Sequence, residues 1–343
     1  MKTNKYDLVI FIGRFQPFHN SHKKVIEYAS NYTDNMLVLI GSSLSPRTFN
    51  NPFTFEERQY FISESSKDIN INLNFEPIKD YPYNDNKWLQ KINESITQTI
   101  KKLNLKNPKI AIIGHKKDNS SYYLDLFPNY DEIKVPFFSK ISTTNIIKLY
   151  FENKMNIIKN VPDPVKFGLE SFFETNYYND LVKEYEYNIS YKKQWKNSPY
   201  PPTFVTTDVI FICSGHVLMG ERKTNPGKGL LAIPGGFLNQ NEYLIDGAIR
   251  ELKEETKIDL PKPMLKNLIK KTHVFDKPDR SSRGRVITHT YFMEYNSKEF
   301  PKVKAADDLV KIHWIPLNQL KIMSEDIFED HLHIIDYFVN ILN

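Results

Sequence analysis

A single cysteine, Cys213, in 343 residues excludes a disulfide scaffold. No apolar run approaches the roughly 18 residues of a membrane span. The opening residues, MKTNKYDLVIFIGRF, enter a strand-like segment with no cleavable signal pattern. A cytoplasmic protein with no membrane partner is expected. An excess of one charge is equally scarce: 46 Lys and Arg against 41 Asp and Glu leave a formal +5, and the surplus falls within residues 1–202. So mild and dispersed a balance excludes a duplex-binding footprint, which needs a clustered basic stripe. Nucleic acid is not an expected partner, whereas small anions are. What is present, 40% hydrophobic and 25% charged residues, is the composition of a folded chain, and its length suits about two domains.

Short apolar runs alternate with helical periodicity in the first part. Strands are expected at Leu8 to Ile12, Met36 to Ile40 and Ile110 to Ile113, with helices over Lys23 to Ser30 and from Trp88 to Leu103. That alternation implies a doubly wound parallel α/β sheet, which binds ligands beyond the carboxyl ends of its strands. Gly13, Gly41 and Gly114 open those segments. A helical, tyrosine-rich stretch follows from about Pro164, and YKKQWKNSPYPP ends the linker. The domains are expected at 1–185 and 203–343, joined by 186–202. The second reads as α+β, with a strand over Val205 to Ile212, a Gly/Pro turn at Pro234 to Gly236, a helix over Tyr243 to Lys257, alternation at Val286 to Tyr295 and a last helix from about Glu329.

The first strand runs into FIGRFQPFHNSH, placing Gly13 and Arg14 at its end and His19 and His22 where the next helix begins. Helix N–H groups, the positive end of the helix dipole and imidazole donors converge there, as a phosphate requires. Two histidines at this spacing also read as a surface pair or half of a metal site. GRFQPFHNSH resembles the GRFQPFHxGH signature of the nucleotidyltransferase superfamily, in the version of archaeal-type nicotinamide mononucleotide adenylyltransferases. SPRTFNNPFTFEER (45–58), KDYPYNDNKW (79–88), IIGHKKDNSSYYLDLFP (112–128) and ISTTNI (141–146) follow in the family's order.

The resemblance implies a Rossmann-like domain that transfers AMP from ATP to nicotinamide mononucleotide, giving NAD and pyrophosphate, usually with Mg²⁺. It implies that His19 and His22 hold ATP phosphates with Arg14 and Arg47 as further donors, and that Gly13 and Gly41 admit ligand to the backbone. Phe15, Gly114, Thr143 and Thr144 fall in the matched segments as substrate contacts, and Lys148 lies just beyond the last of them as a further one. Trp88 matches a tryptophan that stacks on the nicotinamide ring, and it equally fits the apolar face of its own helix. Two positions depart from the pattern. Ser21 replaces a glycine, and Ile147 stands where the family has arginine. Lys148 follows, but one helical step turns a side chain by about 100°; either Lys148 reaches over the helix start or the phosphate grip is weaker.

In the second part, GFLNQNEYLIDGAIRELKEETKI resembles the Nudix box through Gly236, Glu242, Arg250, Glu251, Leu252, Glu254, Glu255 and Ile258; Lys257 alone departs, from glycine. Glu251, Glu254 and Glu255 share one helical face, and carboxylates so close call for a divalent cation, Mg²⁺ or Mn²⁺. The resemblance implies hydrolysis of ADP-ribose to AMP and ribose 5-phosphate, with Glu254 and Glu255 as main ligands, Glu251 as ligand or base and the Gly235 carbonyl as a further ligand. It implies that Arg250 braces the loop through Glu242 and that Lys257 gives the helix a different exit. VFDKPDRSSRGRVITHTYF (274–292) looks like the ADP-ribose pyrophosphatase loop, with Arg283 and Arg285 for a diphosphate or terminal ribose. Glu325, Glu329 and Asp330 lie where some relatives supply a late-loop carboxylate, and HLH at 331–333 reads as helix surface.

The chain as a whole is similar in order and length to bifunctional adenylyltransferase/Nudix hydrolases, with ATP, nicotinamide mononucleotide, NAD and ADP-ribose as expected partners. Two alternatives stay open: a Nudix domain that only senses ADP-ribose or NAD, and a nucleotidyltransferase for flavin mononucleotide or phosphopantetheine. The sequence leaves the oligomeric state open, a homo-oligomer included.

Overall fold

The computed structural model describes residues 5–114, 127–136, 138, 143–154 and 159–342. The chain divides into two compact units, Met1–Val182 and Lys183–Asn343.

In the first unit, β1 (Leu8–Gly13) and β2 (Asn35–Ile40) lie at the centre of a parallel sheet of order β3-β2-β1-β4-β5, with β3 at Asn72–Pro77, β4 at Ile110–Gly114 and β5 at Asp131–Lys134. Covered on both faces, β1 and β2 are almost wholly buried, which their unbroken apolar sequence anticipates. The edge strands β3 and β5 carry polar residues and escape recognition by pattern. Helix α1 (Asn20–Ala29) follows β1, and α2 (Phe55–Ser65) follows the β2 loop, its start fixed by reciprocal hydrogen bonds between Thr54 and Glu57. Helix α3 (Asp85–Lys102) buries Ile92 and Ile96 against Leu8, Ile10 and Leu37. Helices α4 (Thr143–Phe151) and α5 (Asp163–Phe173) complete the unit.

Helix α6 (Asn176–Gln194) contains the division between the units, so residues 186–194 of the expected linker are helical. Neither glycine nor proline interrupts the chain from 175 to 198, so nothing local stops the helix earlier.

In the second unit, β6 (Thr203–Cys213) pairs in parallel with β11 (Arg285–Tyr295) at the centre of a mixed sheet. Strand β10 (Ile269–Phe275) flanks β11, and β7 (His216–Arg222) and β12 (Leu309–Pro316) continue on the β6 side. Short strands β8 (Leu231–Ala232) and β9 (Gly235–Phe237) pair with β7 and β6; the expected turn at 234–236 is therefore partly strand. Helix α7 (Leu244–Thr256) packs Ala248, Ile249 and Leu252 on Val209, Phe211 and Leu218. The short α8 (Lys262–Asn267) and a terminal helix, α9 (His331–Val339), complete the unit.

Candidate active sites

The first candidate site forms where β1 gives way to α1. Gly13 ends the strand, where an added Cβ would come within 2.7 Å of the Phe15 ring. Phe15 is buried and adopts a left-handed φ of 51°. Arg14 between them is exposed. His19 caps α1 with extended backbone and is 3% exposed. One turn on, His22 accepts the His19 backbone N–H at Nδ1, 3.3 Å, so the neutral ring carries its proton on Nε2 and presents a donor there. The two imidazoles stack with centroids 3.6 Å apart, and Phe15 and Phe18 flank His22 at 5.0 and 5.6 Å. Ring packing and the capping bond fix both imidazoles at the positive end of α1.

Gly41 follows β2 beside this turn, its N–H bonded to the Gly13 carbonyl at 2.9 Å. A Cβ there would meet nothing closer than 3.7 Å, so protein packing does not require glycine at 41. Arg47 is engaged within the protein. Its terminal nitrogens grip both Glu57 oxygens at 2.8 and 3.0 Å and the Pro52 carbonyl at 2.5 Å, between the rings of Phe172 and Tyr177. A guanidinium so engaged braces the loop before α2. Trp88 is half-buried on the core cluster of α3, 6.4 Å from Phe127, as the apolar face of its helix requires.

Gly114 closes β4, while residues 115–126 of the matched segment, with Ile141 and Ser142, lie outside the described residues. Thr143 and Thr144 open α4. Ile147 turns into the core at 6% exposure, and Lys148 turns outward to Glu152, 3.9 Å away. The two neighbours thus diverge as helical geometry demands, and Lys148 does not occupy the direction of residue 147.

Sequence reasoning missed Arg58. At 1% exposure it is among the largest fully buried side chains, and it bonds the carbonyls of Arg14 and Gly41 at 2.7 and 2.6 Å. An arginine in a helix reads as surface, and no local signal marks this one as internal.

The second candidate site forms where α7 meets the turn at Gly235 and Gly236. An added Cβ at Gly236 would lie 2.6 Å from the Glu251 carboxylate, and one at Gly235 would lie 2.2 Å from Asp208 Oδ1. Only glycine allows acids to pack on this strand. Glu255 accepts the Gly235 N–H at 3.0 Å and is 6% exposed; burial raises its pKa to about 8. Burial likewise pushes the Glu251 carboxyl up. Arg250 holds Glu242 at 2.6 and 3.0 Å, Glu251 at 2.7 Å and the more exposed Glu254 at 2.9 Å. Its hydrogen bonds draw the Glu242 carboxyl down to about 2. Among the described residues no three acidic, histidine or cysteine side chains converge tightly enough to hold a metal ion alone.

The helix exit corrects one expectation. Lys257 takes a left-handed φ of 47°, the conformation a glycine would adopt, and its N–H bonds Lys253 O at 3.0 Å. The exit is therefore the ordinary one, secured by Lys253 Nζ on the carbonyls of Ile258 and Leu260 at 3.1 and 2.8 Å.

The loop before β11 joins the chain just before α9. Arg280 forms a buried two-pronged pair with Asp330, both contacts 2.9 Å. Glu329, at a left-handed φ of 43°, accepts from Ser281 Oγ at 2.9 Å and Ser282 N at 3.2 Å. Burial raises the pKa of Glu329 and of nearby Asp208. Arg283 lies over the Phe237 ring at 5.2 Å, while Arg285 donates to the Asp276 carbonyl. Glu325 is exposed in a separate turn. His331, expected on the surface, is buried: its Nδ1 accepts Ile233 N at 3.1 Å, and burial holds its pKa down. Pairings across 47 to 98 residues carry no local signal.

Comparison with known proteins follows the same division. The cytidylyltransferase-like family matches residues 10–149, and the NUDIX domain matches 202–338. A nicotinamide/nicotinic acid mononucleotide adenylyltransferase of Acinetobacter baylyi is 33% identical over 183 residues, 53% of this chain and 94% of that protein. An ADP-ribose pyrophosphatase of Methanocaldococcus jannaschii is 33% identical over 158 residues, 45% of this chain and 88% of that protein. A Francisella tularensis bifunctional NMN adenylyltransferase/ADP ribose pyrophosphatase, solved with AMP and a manganese ion, is 35% identical with a TM-score of 0.91. That match covers 98% of this chain and 100% of the solved one. With a histidine-bearing strand end in one unit, a glutamate helix on a paired-glycine turn in the other, and likeness along nearly its whole length, the chain belongs to the bifunctional NMN adenylyltransferase/ADP-ribose pyrophosphatase family.

Proposed function

We propose that the first unit joins AMP from ATP to nicotinamide mononucleotide, releasing pyrophosphate and forming NAD, and that the second cleaves ADP-ribose to AMP and ribose 5-phosphate, in the cytoplasm. The observation that carries the first half is the stacked His19 and His22 pair at the start of α1, beside the ends of two central strands. Attack of one phosphate on another needs alignment and charge neutralisation rather than a covalent enzyme intermediate. His22 Nε2, the α1 N–H groups and Arg14 supply donors, and Gly41 leaves the backbone open to close approach.

The second half rests on the carboxylates gathered at the Gly235–Gly236 turn. Their donor set is oxygen only, which suits Mg²⁺ or Mn²⁺. Glu251, Glu254, Glu255 and the Gly235 carbonyl would hold the ion, with the Arg250–Glu254 contact yielding to it. Bound there, the ion supplies an activated water and shields the diphosphate. Arg250 keeps the loop in place through Glu242, and of the three late-loop carboxylates Glu329 is the one that Ser281 and Ser282 hold against the loop before β11. Arg283 on Phe237 offers a cation to the diphosphate.

The test is a two-substrate assay on one preparation with Mg²⁺: nicotinamide mononucleotide with ATP, and ADP-ribose alone, products followed by chromatography. His19→Ala removes NAD formation and spares AMP release; Glu254→Gln does the reverse. ADP-ribose cleavage that survives Glu254→Gln would overturn the metal assignment.

A further inference from the structure

Arg58 sits on α2 beneath the loops that follow β1 and β2. Every one of its five N–H donors has an acceptor. Nε reaches Thr54 O at 3.0 Å, Nη1 reaches Arg14 O and Gly41 O at 2.7 and 2.6 Å, and Nη2 reaches Ser42 O and Ser43 Oγ at 3.3 and 3.1 Å. All five acceptors are neutral. Asp80, Glu56 and Glu57 act on the guanidinium only at longer range, and burial lowers its pKa to about 10, which leaves it charged at neutral pH. A buried cation bonded only to neutral oxygens, four carbonyls and one hydroxyl, is costly to the fold, so its retention calls for a reason.

The reason lies in the backbone it holds. In a trans peptide the C=O and the following N–H point opposite ways. Drawing the Arg14 and Gly41 carbonyls onto the guanidinium turns the N–H groups of Phe15 and Ser42 away from the core side. Phe15 and Ser42 have left-handed φ of 51° and 48°, and Leu44 has 56°. L-residues hold such conformations only where the surroundings over-determine them. Here the surroundings are one side chain clasping both loops, supported by Asn51 on the Ser42 carbonyl at 3.2 Å.

We propose that Arg58 is a positioning residue for adenylyl transfer: by clasping the carbonyls of Arg14, Gly41 and Ser42 it fixes both strand-end loops to receive a nucleoside triphosphate, whose negative charge balances its own. This rests on the adenylyltransferase reading of the first unit. Lysine keeps the charge but has three donors on a point-like head and cannot span the same acceptors.

The full chain carries its own control, because the second unit's hydrolysis does not use this clasp. In Arg58→Lys, kcat for NAD formation falls about 100-fold, the cost of an ångström-scale misplacement, and KM for ATP rises several-fold. ADP-ribose cleavage stays within two-fold. A merely structural residue would leave kcat per folded molecule unchanged, with folding followed by circular dichroism. Should Arg58→Lys fail to fold, Ser43→Ala decides: it removes one acceptor and keeps the charge, and a three- to ten-fold loss of kcat with an unchanged spectrum supports the clasp. NAD formation within two-fold of the parent in whichever variant folds overturns it. A parent protein that forms no NAD instead overturns the reading beneath it.

Discussion

The two units treat charge in opposite ways. In the first, the buried Arg58 spends all its donors on neutral oxygens and, among the described residues, meets no carboxylate within hydrogen-bond reach. In the second, Arg250 binds three glutamates at once, and a further acid, Glu184 on α6, is 7% exposed, its carboxyl pushed up by burial and by Glu329. One unit holds positive charge in reserve, as suits a site for a polyanion; the other holds negative charge in reserve, as suits a site for a cation. The contrast is between the buried groups beside the two candidate sites, Arg58 under one and Glu255 beside the other, each of the sign opposite to what that site must attract.

The largest break in that comparison is at Glu184. Burial and the neighbouring Glu329 raise its pKa to about 7 from 4.5. Because the folded value lies above the unfolded one, its stabilisation is complete below about pH 4.5 and is lost as pH rises through 7. Glu184→Gln abolishes that loss, so the variant should exceed the parent by about 3 kcal/mol at pH 8 and match it near pH 4.5. Urea unfolding of both proteins at the two pH values measures the gap; a gap that does not widen with pH removes Glu184 from the reserve of negative charge.

Next comes Arg250. Replacing it with methionine leaves Glu251 and Glu254 facing each other without a cation, a loss of about 2 kcal/mol for charge-assisted bonds of this kind. Saturating Mn²⁺ should recover most of the loss, since the ion takes over the carboxylates and stabilises whatever it binds. Unfolding curves with and without Mn²⁺ carry the test, and an unchanged deficit in its presence would mean that Arg250 and the metal do not share those acids.

The same contrast explains what the sequence made legible. Apolar runs announced β1, β2, β4 and the core of β6, because strands covered on both faces must be hydrophobic throughout. Fixed spacing announced the Glu251, Glu254 and Glu255 face and the His19 and His22 turn, because each lies within one or two helical turns. Edge strands β3 and β5 gave no such signal, their residues being half in water. Arg58 and His331 were hidden because a polar residue's burial depends on partners distant in sequence: Arg58 is joined to Arg14 and Gly41 across 44 and 17 residues, and His331 to Ile233 across 98. The bond of Arg47 to Glu57 was hidden as well, since a loop arginine shows no partner until the chain is folded.

Lys257 gives the smallest effect and tests whether a departure from a motif must change its geometry. The residue occupies the left-handed exit of α7 at φ 47°, where glycine has no Cβ to crowd the carbonyl. Strain at a single non-glycine residue of this kind costs about 1 kcal/mol, and a glycine gives back part of the gain through the greater freedom of its unfolded chain. Lys257→Gly should therefore stabilise the protein by about 0.5 kcal/mol or less, with ADP-ribose cleavage unchanged because Glu254 and Glu255 keep their helical frame. A several-fold change in cleavage would mean that the lysine side chain, and not the exit it occupies, belongs to the working face of the helix.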